Sequence, residues 1–151
     1  MSRYFPVVFL AAIALLAAPA ALAADAKQME DNKKTVAAFY DAVLNQKDFD
    51  KASQYLGSHY KQHNPVAADG AEGLKGFIAF LKEKFPNNRS EIKRIFADGD
   101  YVIVHVHAVR EPGTRGNAII DIFRLDNGKV VEHWDAVQPI PEKAANDNGM
   151  F

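Results

Sequence analysis

The run Ile119-Ile120-Asp121-Ile122-Phe123-Arg124-Leu125 holds one carboxylate among branched apolar residues. Burying such a group is costly unless it is paired or protonated, so Asp121 is the first place to expect chemistry. After Asp126-Asn127-Gly128 comes Lys129-Val130-Val131-Glu132-His133-Trp134-Asp135, which brings an imidazole, an indole and a second carboxylate together. In a desolvated setting Asp121 would hold its proton more tightly, which suits proton transfer near neutral pH. His133, or His105 or His107 from the preceding run, would orient the carboxylate and share its proton. The competing reading is a buried Asp–His pair that only satisfies its own hydrogen bonds. His63-Asn64 before Pro65 reads as a polar lip on a binding site, or as a local turn in which Asn64 bonds the backbone.

Which of these residues meet depends on strands. Alternation places Ile119, Asp121, Phe123 and Leu125 on one face and Ile120, Ile122 and Arg124 on the other. Arg124 belongs in solvent, so Asp121 and Phe123 point inward. Residues 126–128 are a hairpin turn. A three-residue loop with a bulged glycine sets Asp121 opposite His133; a two-residue Asn-Gly loop sets it opposite Trp134. The first form is preferred, which makes His133 and Asp135 interior and leaves Glu132 and Trp134 outside. In residues 101–110, His105 and His107 share a face with Tyr101 and Ile103, and Val102, Val104 and Val106 share the other. Either set could face the core.

His105-Val106-His107, with Gly99 before and Glu111 after, also mimics the first metal motif of cupins. Two imidazoles on one strand face are what a metal site needs. No second motif follows, and three preceding helices do not suit a double-stranded β-roll. A His-based metal site is therefore the minor alternative, and no metal or cofactor is expected.

The earlier part of the chain is helical. Val36, Phe39, Tyr40, Val43 and Leu44 make one apolar face, with Asp31 or Asn32 as cap. Residues 49–56 form a short helix capped by Asp48 and stopped by Gly57. An extended piece covers residues 58–65. A third helix carries Leu74, Phe77, Ile78, Leu81 and Phe85. Helices followed by antiparallel strands (91–97, 101–110, 118–125, 130–138) give an α+β fold. The helices pack on the concave face of a curved antiparallel sheet, and Phe39, Phe49, Phe77, Phe80 and Phe85 furnish an apolar interior for a small ligand.

Residues 1–23 read as a secretory signal peptide: Arg3, an apolar run over 7–18, Pro19, and Ala21-Leu22-Ala23 before the cut. Residues 24–30 are a polar lead-in, 31–138 the domain, and 139–151 a flexible tail. Export to a periplasm or to the medium is expected, with an uncleaved membrane anchor as the lesser alternative. Cleavage leaves 17 basic and 19 acidic side chains, a balance that favours neither nucleic acid nor a membrane surface. There is no cysteine, so disulfides, thiolate metal sites and cysteine nucleophiles are excluded.

Two segments carry a family resemblance: Tyr60-x-Gln62-His63-Asn64-Pro65, and Asp121-Ile122-Phe123-Arg124 continuing through Asn127-Gly128-Lys129-Val130-Val131 to Glu132-His133-Trp134-Asp135. From about Asp31 to Gln138 the chain resembles SnoaL-like proteins of the nuclear transport factor 2 superfamily, the α+β cone shared with ketosteroid isomerases and scytalone dehydratase. The resemblance implies a cavity between sheet and helices, dimerisation through the outer sheet face, and an aspartate at the place of Asp121 acting as acid/base in aldol closure. The isomerases also use a tyrosine on the first helix, near Tyr40, and a separate aspartate base for which this chain offers His59 and His63 instead. The expected site is thus Asp121, His133 and His105 for proton transfer. His63, His107, Asp135, Tyr40 and Phe123 are expected around a small hydrophobic carbonyl compound. The alternative is a non-catalytic ligand-binding or dimeric assembly module.

Overall fold

A computed structural model describes residues 14–151. The leader expected over 1–23 therefore lies, through residue 13, outside the described residues. Helix α1 spans Ala14–Tyr40 and runs on into a π-helical turn, Asp41–Gln46. The polar lead-in is part of this helix, and Asp31 and Asn32 are not its caps. Alanine-rich sequence ahead of Asp31 favours the longer helix. Asp31 pairs within it with Lys27 and Lys34. Asn32 is buried and donates from its amide to the Gly99 carbonyl at 3.3 Å.

Lys47 ends the π-turn in the left-handed region at φ 54°. Asp48 then caps α2 (Phe49–Ser53), accepting from the Lys51 backbone at 3.0 Å. Strand β1 (Leu56–Gln62) and helix α3 (Gly70–Lys84) follow, then β2 (Arg89–Asp98), β3 (Tyr101–Val109), β4 (Asn117–Asp126) and β5 (Lys129–Pro139). The sheet order is β1-β5-β4-β3-β2, an open curved sheet whose pairs are antiparallel except β1 with β5, which run parallel.

The core lies between this sheet and the helices. Val36, Phe39 and Val43 from the first helix, with Leu74 and Ile78 from α3, meet Val102, Val104, Val106, Phe123, Leu125 and Val130. Three valines of β3 are fully buried, so that strand gives its branched aliphatic side to the core and its histidines to the outside. Phe80 departs from expectation. It is 43% exposed and packs edge-on against Phe85 instead of entering the interior.

The β4–β5 hairpin adopts neither expected register. Asp126 pairs with Lys129 around an Asn127-Gly128 turn with φ 49° and 71°, the positive pair of a two-residue type I′ turn. A bulge follows at once, between the Leu125–Val130 and Arg124–Glu132 pairs. It lets Val130 enter the core while Val131 is buried against Gly57. From there Phe123 stands opposite His133 and Asp121 opposite Asp135. Phe151 returns to the outer sheet face, its ring 5.2 Å from His105 and 4.8 Å from His107.

Candidate functional site

Tyr40 closes α1, and its hydroxyl donates to Asp121 Oδ2 on β4 at 3.1 Å. The other oxygen of Asp121 lies 3.0 Å from His133 Nε2. His133 is one diagonal step along the hairpin, within reach because β4 and β5 side chains on one face interdigitate. On its far side His133 Nδ1 meets Gln62 Oε1 at 3.0 Å. The amide of Gln62 cannot be turned round. Its Oε1 also accepts from the Asn64 backbone N–H at 2.9 Å, and its Nε2 donates to the Tyr60 hydroxyl at 3.2 Å.

This fixes the imidazole. Gln62 Oε1 can only accept, so His133 Nδ1 carries a proton. The remaining proton sits on the line between Nε2 and Asp121 Oδ1, giving either imidazolium with carboxylate or neutral imidazole with carboxylic acid. Asp121 is 5% exposed. Burial raises its proton affinity above the ordinary aspartate range. The His133 hydrogen bond and charge oppose that, Asp135 adds to it, and Tyr40 opposes it; the net direction is upward. Burial, reinforced by the charge of Asp121, also holds the Tyr40 phenol well above its usual range. Tyr40 is therefore a donor throughout the physiological pH range.

Asp135 is the second carboxylate on this wall, gripped at both oxygens by Asn64 Nδ2 at 2.7 and 2.8 Å. Phe123 buttresses the arrangement. Its ring stacks on His133 at 4.7 Å and takes Phe39 and Tyr40 edge-on at 5.9 and 6.2 Å. These groups line a cavity of about 410 Å³ between the sheet and α3, whose Leu74, Phe77 and Leu81 form its apolar side. A cavity of this volume holds a drug-sized ligand.

Five expected site residues, Asp121, His133, Asp135, Tyr40 and Phe123, therefore meet at one cavity wall. Three others stand elsewhere. His105 and His107 are on the convex side of β3, where His105 Nδ1 contacts Arg94 at 3.0 Å and His107 Nε2 contacts the Arg115 carbonyl at 2.8 Å. Neither can reach Asp121 through the sheet. The cupin-like pair gains no third ligand, because no group of three histidine, aspartate or glutamate side chains among the described residues could hold a metal ion. His63 is also outside. It stacks on Trp134 at 4.6 Å and contacts Glu132 at 2.8 Å, and Glu132 accepts from Arg124.

Sequence reading missed Gln62 and Tyr60. The signal was available: continuing period two through Tyr60-x-Gln62-x-Asn64 places all three on the cavity side and His63 opposite.

A family model for the SnoaL-like domain matches residues 36–133. The chain belongs to the SnoaL-like family. No curated protein matches it in sequence. Among solved structures, IdmH from Streptomyces antibioticus, a proposed polyketide cyclase, is 21% identical, with a TM-score of 0.59 over 70% of this chain and 91% of its own. An uncharacterised cystatin-fold protein from Novosphingobium aromaticivorans is 24% identical, with a TM-score of 0.62 over 70% of this chain and 97% of its own. TsrD from Streptomyces laurentii is 19% identical, with a TM-score of 0.60 over 72% and 88%. At these identities the likeness is one of fold, and the SnoaL-like domain here must be read from its own residues.

Proposed function

We propose that this SnoaL-like protein binds a small hydrophobic carbonyl compound and moves a proton on it without a cofactor. The observation that carries the reading is the Tyr40–Asp121–His133–Gln62 chain on the wall of an open apolar cavity. Asp121 takes the proton from the carbon next to the carbonyl, and His133 steadies the shared proton. For an aldol closure, the resulting enolate attacks a second carbonyl of the same molecule and the new alkoxide recovers the proton from Asp121. For an isomerisation, the proton returns to a different carbon. Either way the pair ends as it began, and general acid–base assistance of this kind is worth about 10²–10⁴ in rate.

A binding-only reading has one observation in its favour: each oxygen of Asp121 already has a partner within the protein. The readings separate in a panel of hydrophobic ketones and diketones tested for thermal stabilisation and for turnover, with Asp121→Asn alongside. Stabilisation and turnover that both occur in the wild type, with only turnover lost in the variant, support the enzyme. Stabilisation with no turnover of any compound supports a binding module.

Export by a cleaved leader and homodimerisation belong to the same proposal. Phe96, Tyr101, Ile103 and Ile120 are exposed on the outer sheet face, an apolar surface that a second copy would cover. N-terminal sequencing of the expressed protein and sedimentation analysis test the two points. An intact leader or a monomer at high concentration contradicts them.

A further inference from the structure

The two ends of the cavity differ in charge. Asp121 and Asp135 occupy the inner wall; Arg89, Arg110 and Asn117 line the other end. Asn117 is four residues from Asp121 along β4, roughly 13 Å at the rise of an extended strand. Both arginines are exposed, and among the described residues neither is in an ion pair. Arg89 donates to the neighbouring Asn88 carbonyl at 3.2 Å. The Arg110 guanidinium lies 5.6 Å over the Phe85 ring, which carries it from the end of β3 towards the end of α3.

Arg89 is also held in place. Its neighbour Asn88 is buried and donates to the Leu44 carbonyl at 2.9 Å. Its other neighbour, Ser90, exchanges two backbone hydrogen bonds with the Asn45 side chain, at 2.9 and 3.0 Å. The π-turn of the first helix thus clamps the start of β2 on both sides of Arg89. The acids nearby only partly offset this end. The Asp41 carboxylate is bonded to Asn45 and Gln46 and feels the Arg89 charge without pairing with it, and Glu111 occupies an exposed loop position.

We propose that the ligand carries a carboxylate at the end remote from its reacting carbonyl, seated on Arg89, Arg110 and Asn117. Arginine forks match carboxylate geometry, and such charge-assisted bonds exceed neutral ones in strength. Asp135 at the inner wall disfavours the same group there, so the charge pattern sets one orientation with the neutral carbonyl inward. The substrate class becomes a hydrophobic keto acid. This rests on the carbonyl-ligand reading above.

The test compares 6-acetyl-2-naphthoate, whose ketone and carboxylate lie at opposite ends of the ring system, with its methyl ester by calorimetry. The acid is expected to bind at least about tenfold tighter, with the preference shrinking as salt screens the rim. In Arg89→Met/Arg110→Met the preference should vanish while ester affinity stays the same, and in Asp121→Asn the preference should persist. Equal binding of acid and ester by the wild type overturns the anion seat and leaves the carbonyl-ligand reading standing. A preference that survives the double variant overturns it equally. Failure of both probes to bind removes the carbonyl-ligand reading and the seat with it.

Discussion

Asp121 stands directly opposite Asp135 across the β4–β5 ladder, two carboxylates on one cavity wall. They differ in setting: Asp121 is buried and paired with His133, whereas Asp135 is only partly buried and gripped by Asn64. Because the folded state raises the proton affinity of Asp121, it binds more protons than the unfolded chain between the ordinary aspartate pKa and the folded value. Stability contributed by this group is present at low pH and lost as pH rises through that window. Asp121→Asn, which keeps the shape and cannot ionise, should therefore gain stability relative to wild type as pH rises, and the gain should level off above the window. Urea unfolding of both proteins between pH 4 and pH 8 checks this; a difference that shrinks with rising pH contradicts it.

Gln62 holds the imidazole by accepting from Nδ1. Gln62→Leu leaves His133 Nδ1 and the Asn64 backbone N–H without their acceptor, a cost of about 1–3 kcal/mol for a buried donor. The expected signature is a change in the His133 nitrogen-15 tautomer pattern, with ligand affinity nearly unchanged and any proton-transfer rate reduced about tenfold or more. An unaltered tautomer pattern would show that Gln62 does not set the proton position.

The convex histidines should be dispensable for chemistry. His105→Ala/His107→Ala and His63→Ala are each expected to keep ligand affinity and turnover within about twofold, since surface changes away from special features are usually small. A large loss of turnover in a folded variant, measured in the same assay as wild type, would contradict the placement of these residues.

Gly57 of β1 sits against Val131 of β5. A Cβ there would meet Val131 Cγ1 at 2.5 Å. Gly57→Ala should destabilise by about 1–3 kcal/mol, the usual cost of overpacking, read as a lowered urea midpoint. A neutral outcome would mean that the Val131 bulge is not tightly seated.

That bulge also explains what could be read in advance and what could not. Asn127-Gly128 announces a hairpin, and its two positive φ angles give the two-residue turn. Taken alone, that turn would send His133 outward. The extra residue at Val131 restores the parity of a three-residue loop, so His133 and Asp135 face inward as expected while each partner is displaced along the strand. Nothing local marks a bulge at Val130-Val131. Its cause is burial of both valines, one in the core and one against Gly57, which only the assembled sheet reveals. In β3 the alternation was plain, yet both faces were plausible; packing against Val36 and Phe39 decides for the valines. Asp121 was legible because its cost among isoleucines is visible in one strand. The face of Gln62 could be read by alternation from Tyr60, but its meeting with His133 needed the parallel pairing of β1 with β5, a long-range contact with no local signal.

The central claim is that Asp121 transfers a proton to and from carbon in a bound ketone. The most direct measurement is solvent deuterium exchange at the carbon next to the carbonyl of a bound naphthyl ketone, followed by proton NMR. Wild type should accelerate exchange over buffer, and Asp121→Asn should bind the ketone with similar affinity yet exchange at least about a hundredfold more slowly. Equal exchange in the two proteins, with both binding the ketone, would contradict the account.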